Sequence, residues 1–246
     1  MTSRRPPLPP PPPALLDSAS LFLDFDGTLV DFVIDPSAAA ADQRLRALLL
    51  DLQARLDSRL AILSGRSLAD LTARLDLGEI AMAGSHGLER RSADGIVTSA
   101  RIPHQLSIAI RAARTFATVH GLLLECKPAG VALHFRDARH AEAAVDAFAR
   151  ALAADTGLEL QSGKCVRELK VPGADKGDAV RAYMAEPPFI VGSPVVVGDD
   201  LTDEHAFIAA IALGGSAILV GDLRPTAAQF GLPTVAATLA WLGSTK

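Results

Sequence analysis

The chain has 246 residues, 49% of them hydrophobic, which is enough for one large domain or for a core with a smaller domain. The formal net charge of −4 argues against a nucleic-acid or anionic-membrane partner, and no apolar stretch reaches the ~20 residues of a membrane span. Two cysteines, Cys126 and Cys165, are too few for a disulfide framework and favour a reducing compartment, with one bridge between them left open. We therefore expect a cytoplasmic monomer.

The chain begins with a proline-rich segment, MTSRRPPLPPPPPALL. Two early arginines are typical of export signals, but prolines stand where such a signal needs an apolar helix. We therefore predict that residues 1–18 form a polyproline II tail, disordered or loosely laid on the surface.

Strand-like and helix-like segments alternate from residue 21 onward. The apolar run 21–25 has the length of a strand, and DQRLRALLLDLQARL after it carries leucines at helical spacing. RLAILSGR predicts a second strand, SLADLTARL a second helix, and EIAMAGSHG a short third strand. This order predicts a parallel sheet wound by helices.

The middle of the chain breaks this alternation and predicts a helix, two strands, a helix and two strands. Such a module of about 70 residues is typical of a small α/β unit on an antiparallel sheet. Both cysteines fall in its apparent strands, where we expect them to be buried. The segments, in order, are PHQLSIAIRAARTFATVH, GLLLECK, GVALHFR, DARHAEAAVDAFARALAAD and LELQSGKCVRELKVPG.

The last part of the chain returns to the first pattern. ADKGDAVRAYMAE predicts a helix, SPVVVGDDLTDEHAF a buried strand that runs into an acidic loop, and SAILVG a further strand before a helix near Trp241. We therefore predict an α/β protein with a doubly wound, parallel-sheet (Rossmann-like) core, 19–101 and 174–246, split by an inserted α/β cap domain, 102–173.

Polar clusters stand where predicted core strands end or a helix begins. Ligands of open α/β sheets bind beyond the carboxyl ends of the strands. Taken singly, each cluster has a plain structural interpretation, because Asp and Ser often cap turns and helices. The clusters are Asp24 with Asp26, Ser64, Lys176, and Asp199 with Asp200 and Asp203.

The ordered motifs DFDGT, LSGR, KG and GDDLTD resemble the haloacid dehalogenase superfamily of phosphotransferases. The resemblance implies that Asp24, the backbone carbonyl of Asp26, and Asp199 hold Mg²⁺. It also implies that Asp24 attacks phosphorus to form an aspartyl-phosphate, while Asp26 protonates the leaving oxygen and then activates water. The cation would offset the charge that otherwise keeps a carboxylate from a phosphate dianion. Residues two apart on an extended strand share a side, so both aspartates can face one site.

The same resemblance gives roles to the remaining clusters. Ser64 and Lys176 are expected to hold the phosphoryl oxygens. Asp200 and Asp203 are expected to orient Lys176 or metal-bound water.

Further segments narrow the resemblance to the trehalose-6-phosphate phosphatase family, over nearly the whole chain after the proline-rich segment. They are GSHGLE after the third strand, and ECKPAGVALHFR and GKCVRE in the predicted cap. The resemblance implies a small-molecule substrate, a disaccharide phosphate. Val166 stands where some relatives carry Asn, so one hydrogen bond that the resemblance implies to the sugar is not assured in this chain. The residues that the resemblance implies for sugar binding are Glu125, Lys127, Arg136, Lys164 and Glu168.

Plainer interpretations of the cap residues stay open. Glu125 and Lys127 are neighbours on one strand face and can be a surface ion pair of little consequence. His86 and His134 have no partner at metal-ligand spacing, so we expect structural histidines.

Three other functions stay open beside the leading hypothesis. They are another capped sugar phosphatase, acting on sucrose 6-phosphate for example, a catalytically silent regulatory domain, and a phosphomutase on the same core. The cap segments disfavour the first and, more weakly, the third. The presence of every expected catalytic residue disfavours the second.

Overall fold

The structure, a computed structural model, describes residues 7–31, 43–78, 80–99, 102–127, 129–163, 165–172 and 175–244. The chain forms two compact units. The core unit consists of Met1–Ser99 and Asp175–Lys246, and the cap unit is Ala100–Ala174. No helix within the described ranges has both the length and the apolar character to cross a membrane.

The described residues form twelve strands and seven α-helices. The strands are β1 (Ala19–Asp24), β2 (Leu60–Leu63), β3 (Ala81–Gly84), β4 (Glu89–Arg91), β5 (Val97–Ser99), β6 (Leu123–Lys127), β7 (Gly130–His134), β8 (Glu159–Gly163), β9 (Val166–Lys170), β10 (Ser193–Gly198), β11 (Ser216–Val220) and β12 (Phe230–Leu232). The helices are α1 (Gln43–Arg55), α2 (Leu68–Leu75), α3 (His104–His120), α4 (Glu142–Thr156), α5 (Lys176–Met184), α6 (Glu204–Ala212) and α7 (Val235–Leu242).

The core unit is built on an eight-stranded sheet in the order β12-β11-β10-β1-β2-β3-β4-β5. The strands from β12 to β3 run parallel, and β4 and β5 extend the sheet as an antiparallel hairpin. β1 therefore lies inside the sheet, between β10 and β2. The carboxyl ends of these three strands meet at one edge, where an α/β sheet binds its ligands.

Helices cover both faces of this sheet because successive strand residues point to opposite faces. In β1, Leu21 and Leu23 pack in a layer with α1, α2 and α7, whereas Phe22 packs in a layer with α5 and α6. All three side chains are fully buried. The predicted doubly wound α/β core is confirmed.

The cap unit is a four-stranded antiparallel sheet, β6-β7-β9-β8, that contacts α3 and α4. Val131, Leu133 and Leu169 are buried and point to one side of this sheet. In the strand register Glu125, Ala132, Glu168 and Gln161 lie side by side on the opposite side, and Lys127, Gly130, Lys170 and Glu159 form the next row. We name this side the polar cap face; it consists of Glu125, Lys127, His134, Glu159, Gln161, Glu168 and Lys170.

The structure differs from the prediction at the proline-rich segment. Pro12 has polyproline II geometry (φ −66°, ψ 140°), but Pro13–Leu16 form a 3₁₀ turn whose Leu16 is buried. The N–H of Gly231 in β12 donates to the carbonyl of Pro9 over 2.9 Å. Residues 7–18 are therefore anchored to the core unit at Pro9 and Leu16, although most of their side chains are exposed; residues 1–6 lie outside the described residues.

The expected burial of the cysteines is wrong. Cys126 is exposed because it lies on β6, an edge strand of the cap sheet. Cys165 is half-buried in the turn between β8 and β9, with a left-handed φ of 60°. Both thiols are free, so they do not form a bridge with each other.

Candidate active site

Three of the predicted motifs meet at the carboxyl edge of the core sheet. Leu23 pairs with Val197 on one side, and Asp24 pairs with Leu63 on the other. The loops that follow β1, β2 and β10 therefore leave the sheet at the same level. The apolar strands bring the polar residues of these loops together.

A buried lysine, Lys176, bridges Asp24 and Asp203. Lys176 Nζ donates to Asp24 Oδ1 and to Asp203 Oδ1, each over 2.6 Å. The side chains of Lys176, Asp24 and Asp203 are only 4%, 7% and 2% exposed. Lys176 reaches them from the first position of α5, which Asp175 caps by accepting the N–H of Asp178 over 2.8 Å.

An acidic cluster surrounds this lysine. Carboxylate oxygens of Asp24, Asp199 and Asp203 lie within 4.8 Å of one another. Both oxygens of Asp203 are engaged, since Oδ2 accepts the N–H groups of Asp199 and Asp200 over 3.0 Å each. Asp24 Oδ2 is buried and has no hydrogen-bond partner among the described residues.

The pKa values reflect this crowding. Burial, together with Asp203 and Asp199, raises the pKa of Asp24 well above its usual range against the opposing effect of Lys176. Burial and the carboxylates of Asp203 and Asp200 raise the pKa of Asp199 to about 6. Burial alone would lower the pKa of Lys176, but Asp24 and Asp203 outweigh it and raise that pKa. Three carboxylates share one ammonium, which is the environment that a divalent cation would stabilise.

Gly27, which follows Asp26, lets the Asp199 carboxylate approach the backbone closely. Its φ is +83°, and a Cβ added there would lie 2.2 Å from Asp199 Oδ2. The carboxylate of Asp199 therefore packs directly on Gly27, as only a glycine permits.

The side chain of Asp26 is held apart from this cluster by an arginine. β1 ends at Asp24, so strand alternation no longer sets the direction of Asp26. Its two oxygens accept from Arg66 Nε and Nη2, both over 2.6 Å. Arg66 also donates to Asp70 over 3.0 Å, and its hydrogen bond to Asp26 raises its pKa. The sequence interpretation left Arg66 without a role, although it is the last letter of LSGR.

Ser64 lies in a loop that is bonded to the GSHGLE segment. Its side chain is buried, and its Oγ accepts the N–H of Arg66 over 3.1 Å. The N–H of His86 donates to the Ser64 carbonyl over 2.9 Å, and the His86 ring occupies the space that a Cβ on Gly65 would need. Glu89 completes the connection by accepting from Ser85 Oγ and from the N–H of Leu68. These contacts give GSHGLE a structural role in fixing the Ser64 loop.

Of the two residues expected to orient Lys176 or metal-bound water, one contacts Lys176 among the described residues. Asp203 contacts the lysine directly, as described above. Asp200 is exposed, and its Oδ1 accepts the N–H of Leu201 over 2.7 Å as the cap of the following turn.

The residues expected to bind sugar occupy two places in the cap unit. On the polar cap face, Lys127 Nζ donates to Glu168 Oε2 over 2.6 Å, and Glu125 Oε2 lies 2.9 Å from His134 Nε2. Arg136 lines a cavity of about 470 Å³ at the end of β7, which adjoins the polar cap face at His134. Lys164 lies outside the described residues.

Comparison with known proteins decides the family. The model of the trehalose-phosphatase family matches residues 22–221. The chain belongs to this family. It is 35% identical over 224 residues to the trehalose-6-phosphate phosphatase of Escherichia coli (strain K12), with 90% of this chain and 84% of that protein covered. It is 36% identical over 220 residues to the probable trehalose-phosphate phosphatase of Sinorhizobium fredii, with 88% and 83% covered.

Solved structures agree with this membership of the trehalose-phosphatase family. A trehalose-6-phosphate phosphatase related protein aligns with a TM-score of 0.68 and 29% identity, covering 92% of this chain and 95% of that one. A haloacid dehalogenase-like hydrolase from B. subtilis aligns with a TM-score of 0.66 at 14% identity, covering 92% and 100%, and shows the fold alone. The chain is therefore a phosphatase with the predicted fold, and the resemblance read from its motifs is confirmed.

Proposed function

We propose that the protein hydrolyses trehalose 6-phosphate to trehalose and inorganic phosphate, a step of trehalose biosynthesis. Family membership and the activity named for the Escherichia coli relative support this substrate. The observation that carries the reaction is the buried contact of Asp24 with Lys176 inside an acidic cluster. It provides a nucleophile and a cation for phosphate oxygens at the edge where the fold binds ligands.

We propose Mg²⁺ as the cation of the acidic cluster, held by Asp24, Asp199 and the backbone carbonyl of Asp26. The buried, unpartnered Oδ2 of Asp24 fits a metal ligand, and oxygen donors suit a hard cation. Asp203 is better suited to bracing Lys176, because both of its oxygens are engaged. When bound, Mg²⁺ supplies the positive charge that lets two anions approach each other.

Asp24 is the proposed nucleophile. Its carboxylate attacks phosphorus, the bond to the sugar oxygen breaks, and hydrolysis of the resulting aspartyl-phosphate regenerates the carboxylate. Lys176 uses two of its three N–H protons on Asp24 and Asp203, which leaves one for a phosphoryl oxygen. Ser64 is proposed to donate its hydroxyl proton to another phosphoryl oxygen.

Asp26 is the proposed acid and base. It protonates the leaving sugar oxygen in the first step and takes a proton from the attacking water in the second. The two hydrogen bonds from Arg66 fix the direction of its carboxylate. We propose that Arg66 holds Asp26 between the two transfers, since a planar guanidinium binds both carboxylate oxygens at once, and that Asp26 releases at least one of these hydrogen bonds when it exchanges a proton with the sugar oxygen or with water.

We propose that the cap unit recognises the disaccharide. Glu168 and Lys127 are 17% and 28% exposed, so each can exchange its partner for a sugar hydroxyl. The carboxylate accepts and the ammonium donates, which suits a polyol. Glu125, Arg136 and Lys164 are proposed as further contacts, and Val166 offers the sugar no polar atom on its side chain. That the protein is a cytoplasmic monomer stays a prediction.

The test is phosphate release from a panel of sugar phosphates in the presence of Mg²⁺. We expect the highest kcat/KM on trehalose 6-phosphate and lower values on sucrose 6-phosphate and glucose 6-phosphate. Asp24→Asn, purified in parallel, is the control for contaminating phosphatases. A higher kcat/KM on another sugar phosphate would overturn the substrate, and no release from any of them would overturn the reaction.

A further inference from the structure

Arg224 contacts the backbone of the acidic loop that carries Asp199. It lies between β11 and β12, beyond the residues 22–221 that the family model matches. Its Nε and Nη2 donate to the carbonyl of Asp199 over 3.3 and 3.2 Å. Nη2 also donates to the carbonyl of Asp200 over 2.6 Å. A single guanidinium therefore binds two consecutive carbonyls of this loop.

The same two residues are held through their N–H groups. Asp203 Oδ2 accepts the N–H of Asp199 and that of Asp200, each over 3.0 Å. A Cβ added to Gly198 would lie 2.4 Å from Asp203 Cγ, so the loop is closed tightly around this side chain. Asp203 and Arg224 together satisfy both donors and both acceptors of the backbone at positions 199 and 200. Little freedom is left for the backbone to rotate there.

Arg224 is itself fixed in place. Its Nη1 forms an ion pair with Glu204, the first residue of α6, and donates to the carbonyl of Pro225 over 3.2 Å. The other oxygen of Glu204 accepts the N–H of Ala227 over 2.8 Å. The side chains of Arg224 and Glu204 are 20% and 18% exposed. The planar guanidinium thus joins α6, the loop after β11 and the acidic loop in one arrangement.

We propose that Arg224 is a positioning residue for Asp199 and thereby strengthens binding of the divalent cation. This inference rests on the proposed function. The Asp199 carboxylate lies against Gly27 and within 4.8 Å of Asp24, so a small rotation of its backbone would move one ligand relative to the others. Mg²⁺ requires near-ideal octahedral geometry, and partners that orient metal ligands typically change metal affinity 10- to 100-fold.

The test measures Mg²⁺ binding to the metal-free protein by titration calorimetry. We expect the Kd to rise about 10-fold in Arg224→Gln, which cannot bridge both carbonyls and Glu204. Arg224→Lys should show a smaller rise, because an ammonium keeps the charge but not the planar fork. At saturating Mg²⁺ the kcat of both variants on trehalose 6-phosphate should recover toward that of the wild type.

Arg90→Gln is the matched control. Arg90 donates two hydrogen bonds to the carboxylate of Glu186, and its side chain is 19% exposed, similar to that of Arg224. It has no contact with the acidic loop among the described residues. It should lose comparable stability but bind Mg²⁺ like the wild type. Thermal unfolding in chelator shows whether each variant is folded.

The outcomes separate this inference from the proposed function. A wild type that releases no phosphate or binds no Mg²⁺ contradicts the proposed function itself. An active wild type together with an unchanged Kd in folded Arg224→Gln overturns only the role of Arg224. If Arg224→Gln does not fold, an unchanged Kd in Arg224→Lys overturns it in the same way.

Discussion

The two units of the molecule each contain a lysine–carboxylate contact of 2.6 Å, and the surroundings of the two contacts differ. In the core unit Lys176 and Asp24 are 4% and 7% exposed, and two more carboxylates lie beside them. On the polar cap face Lys127 and Glu168 are 28% and 17% exposed, and Glu125 Oε2 lies within hydrogen-bond distance of His134 Nε2. The contact in the core unit therefore lies among three carboxylates that surround one ammonium, whereas the contact on the cap face pairs one ammonium with one carboxylate.

This difference shows why one contact indicates chemistry and the other indicates only a capacity to bind. Burying unbalanced charge is costly, so a fold retains such a cluster where something else completes it. An ion pair that stays in contact with solvent contributes less than a fully buried one, at the surface only about 0–1 kcal/mol, and such pairs are common on proteins. The roles in the core unit and those on the cap face therefore need different tests.

The largest effect is expected from Asp24→Asn in the core unit. The amide is nearly isosteric but cannot attack phosphorus, so kcat should fall on the order of 10⁴-fold or more on every substrate. Lys176 keeps its contact with Asp203 in this variant and can still donate to the amide oxygen, so the loss of stability should be smaller than in Asp203→Asn. Phosphate release and thermal unfolding of the purified variant are the measurements. Retained turnover would show that Asp24 is not the nucleophile.

Removal of the divalent cation should have the next largest effect. Chelation should lower phosphate release by about 10³-fold or more, since the cation contributes several kcal/mol of charge stabilisation. The loss should be equal for trehalose 6-phosphate and for an aryl phosphate, because the acidic cluster serves the phosphoryl group and not the sugar. Added Mg²⁺ should restore activity, whereas Ca²⁺, with its looser coordination, should restore little. Full activity in chelator would contradict the metal assignment.

Glu168→Gln tests the polar cap face. Loss of one charged hydrogen bond to a sugar hydroxyl should lower kcat/KM on trehalose 6-phosphate about 10- to 100-fold. An aryl phosphate has no sugar, so its hydrolysis should be unchanged. Asp26→Asn is the control from the core unit, and it should damage both substrates, the aryl phosphate less because its leaving group needs less acid help.

Two results would remove the contrast between the units. Equal losses on both substrates for Glu168→Gln would mean that Glu168 supports the structure or the reaction centre instead of the sugar. No loss on either substrate would make its contact with Lys127 an ordinary surface ion pair.

Much of the core sheet was predictable because its strands are short apolar runs that alternate with helical patterns. β4, β5 and β12 were missed, since three-residue segments such as Glu89–Arg91 are too short to show any period. The packing of the proline-rich segment was missed for another reason. One of its anchors is a hydrogen bond to Gly231 in β12, more than 200 residues later in the chain, that no local pattern encodes.

The candidate site also has a part that the sequence predicts and a part that it does not. Asp24 and Lys176 are 152 residues apart, but each follows a motif at a strand end or helix start, where topology brings them together. The roles of Arg66 and Arg224 depend on which carboxylate or carbonyl a long side chain reaches after the loops have closed. Nothing in the spacing of the sequence specifies that choice, although the arginine of LSGR was a usable signal.

Asp200→Asn should have the smallest effect, and it tests a residue that makes no contact with Lys176 among the described residues. The sequence paired Asp200 with Asp203 as residues that orient Lys176 or metal-bound water; Asp200 is exposed and caps the turn at Leu201. Asn is an equally good capping residue, so the free energy of unfolding and kcat/KM should each change by ~0.5 kcal/mol or less, about twofold. Asp203→Asn is the matched comparison, and it should cost about 3–5 kcal/mol of stability or a comparable loss of activity, because an amide cannot accept from Lys176 and from the N–H groups of Asp199 and Asp200 at once. Denaturant unfolding and steady-state kinetics on both variants decide the point. A loss in Asp200→Asn as large as that in Asp203→Asn would mean that the exposed carboxylate acts in the reaction after all, through a contact that forms only with substrate bound.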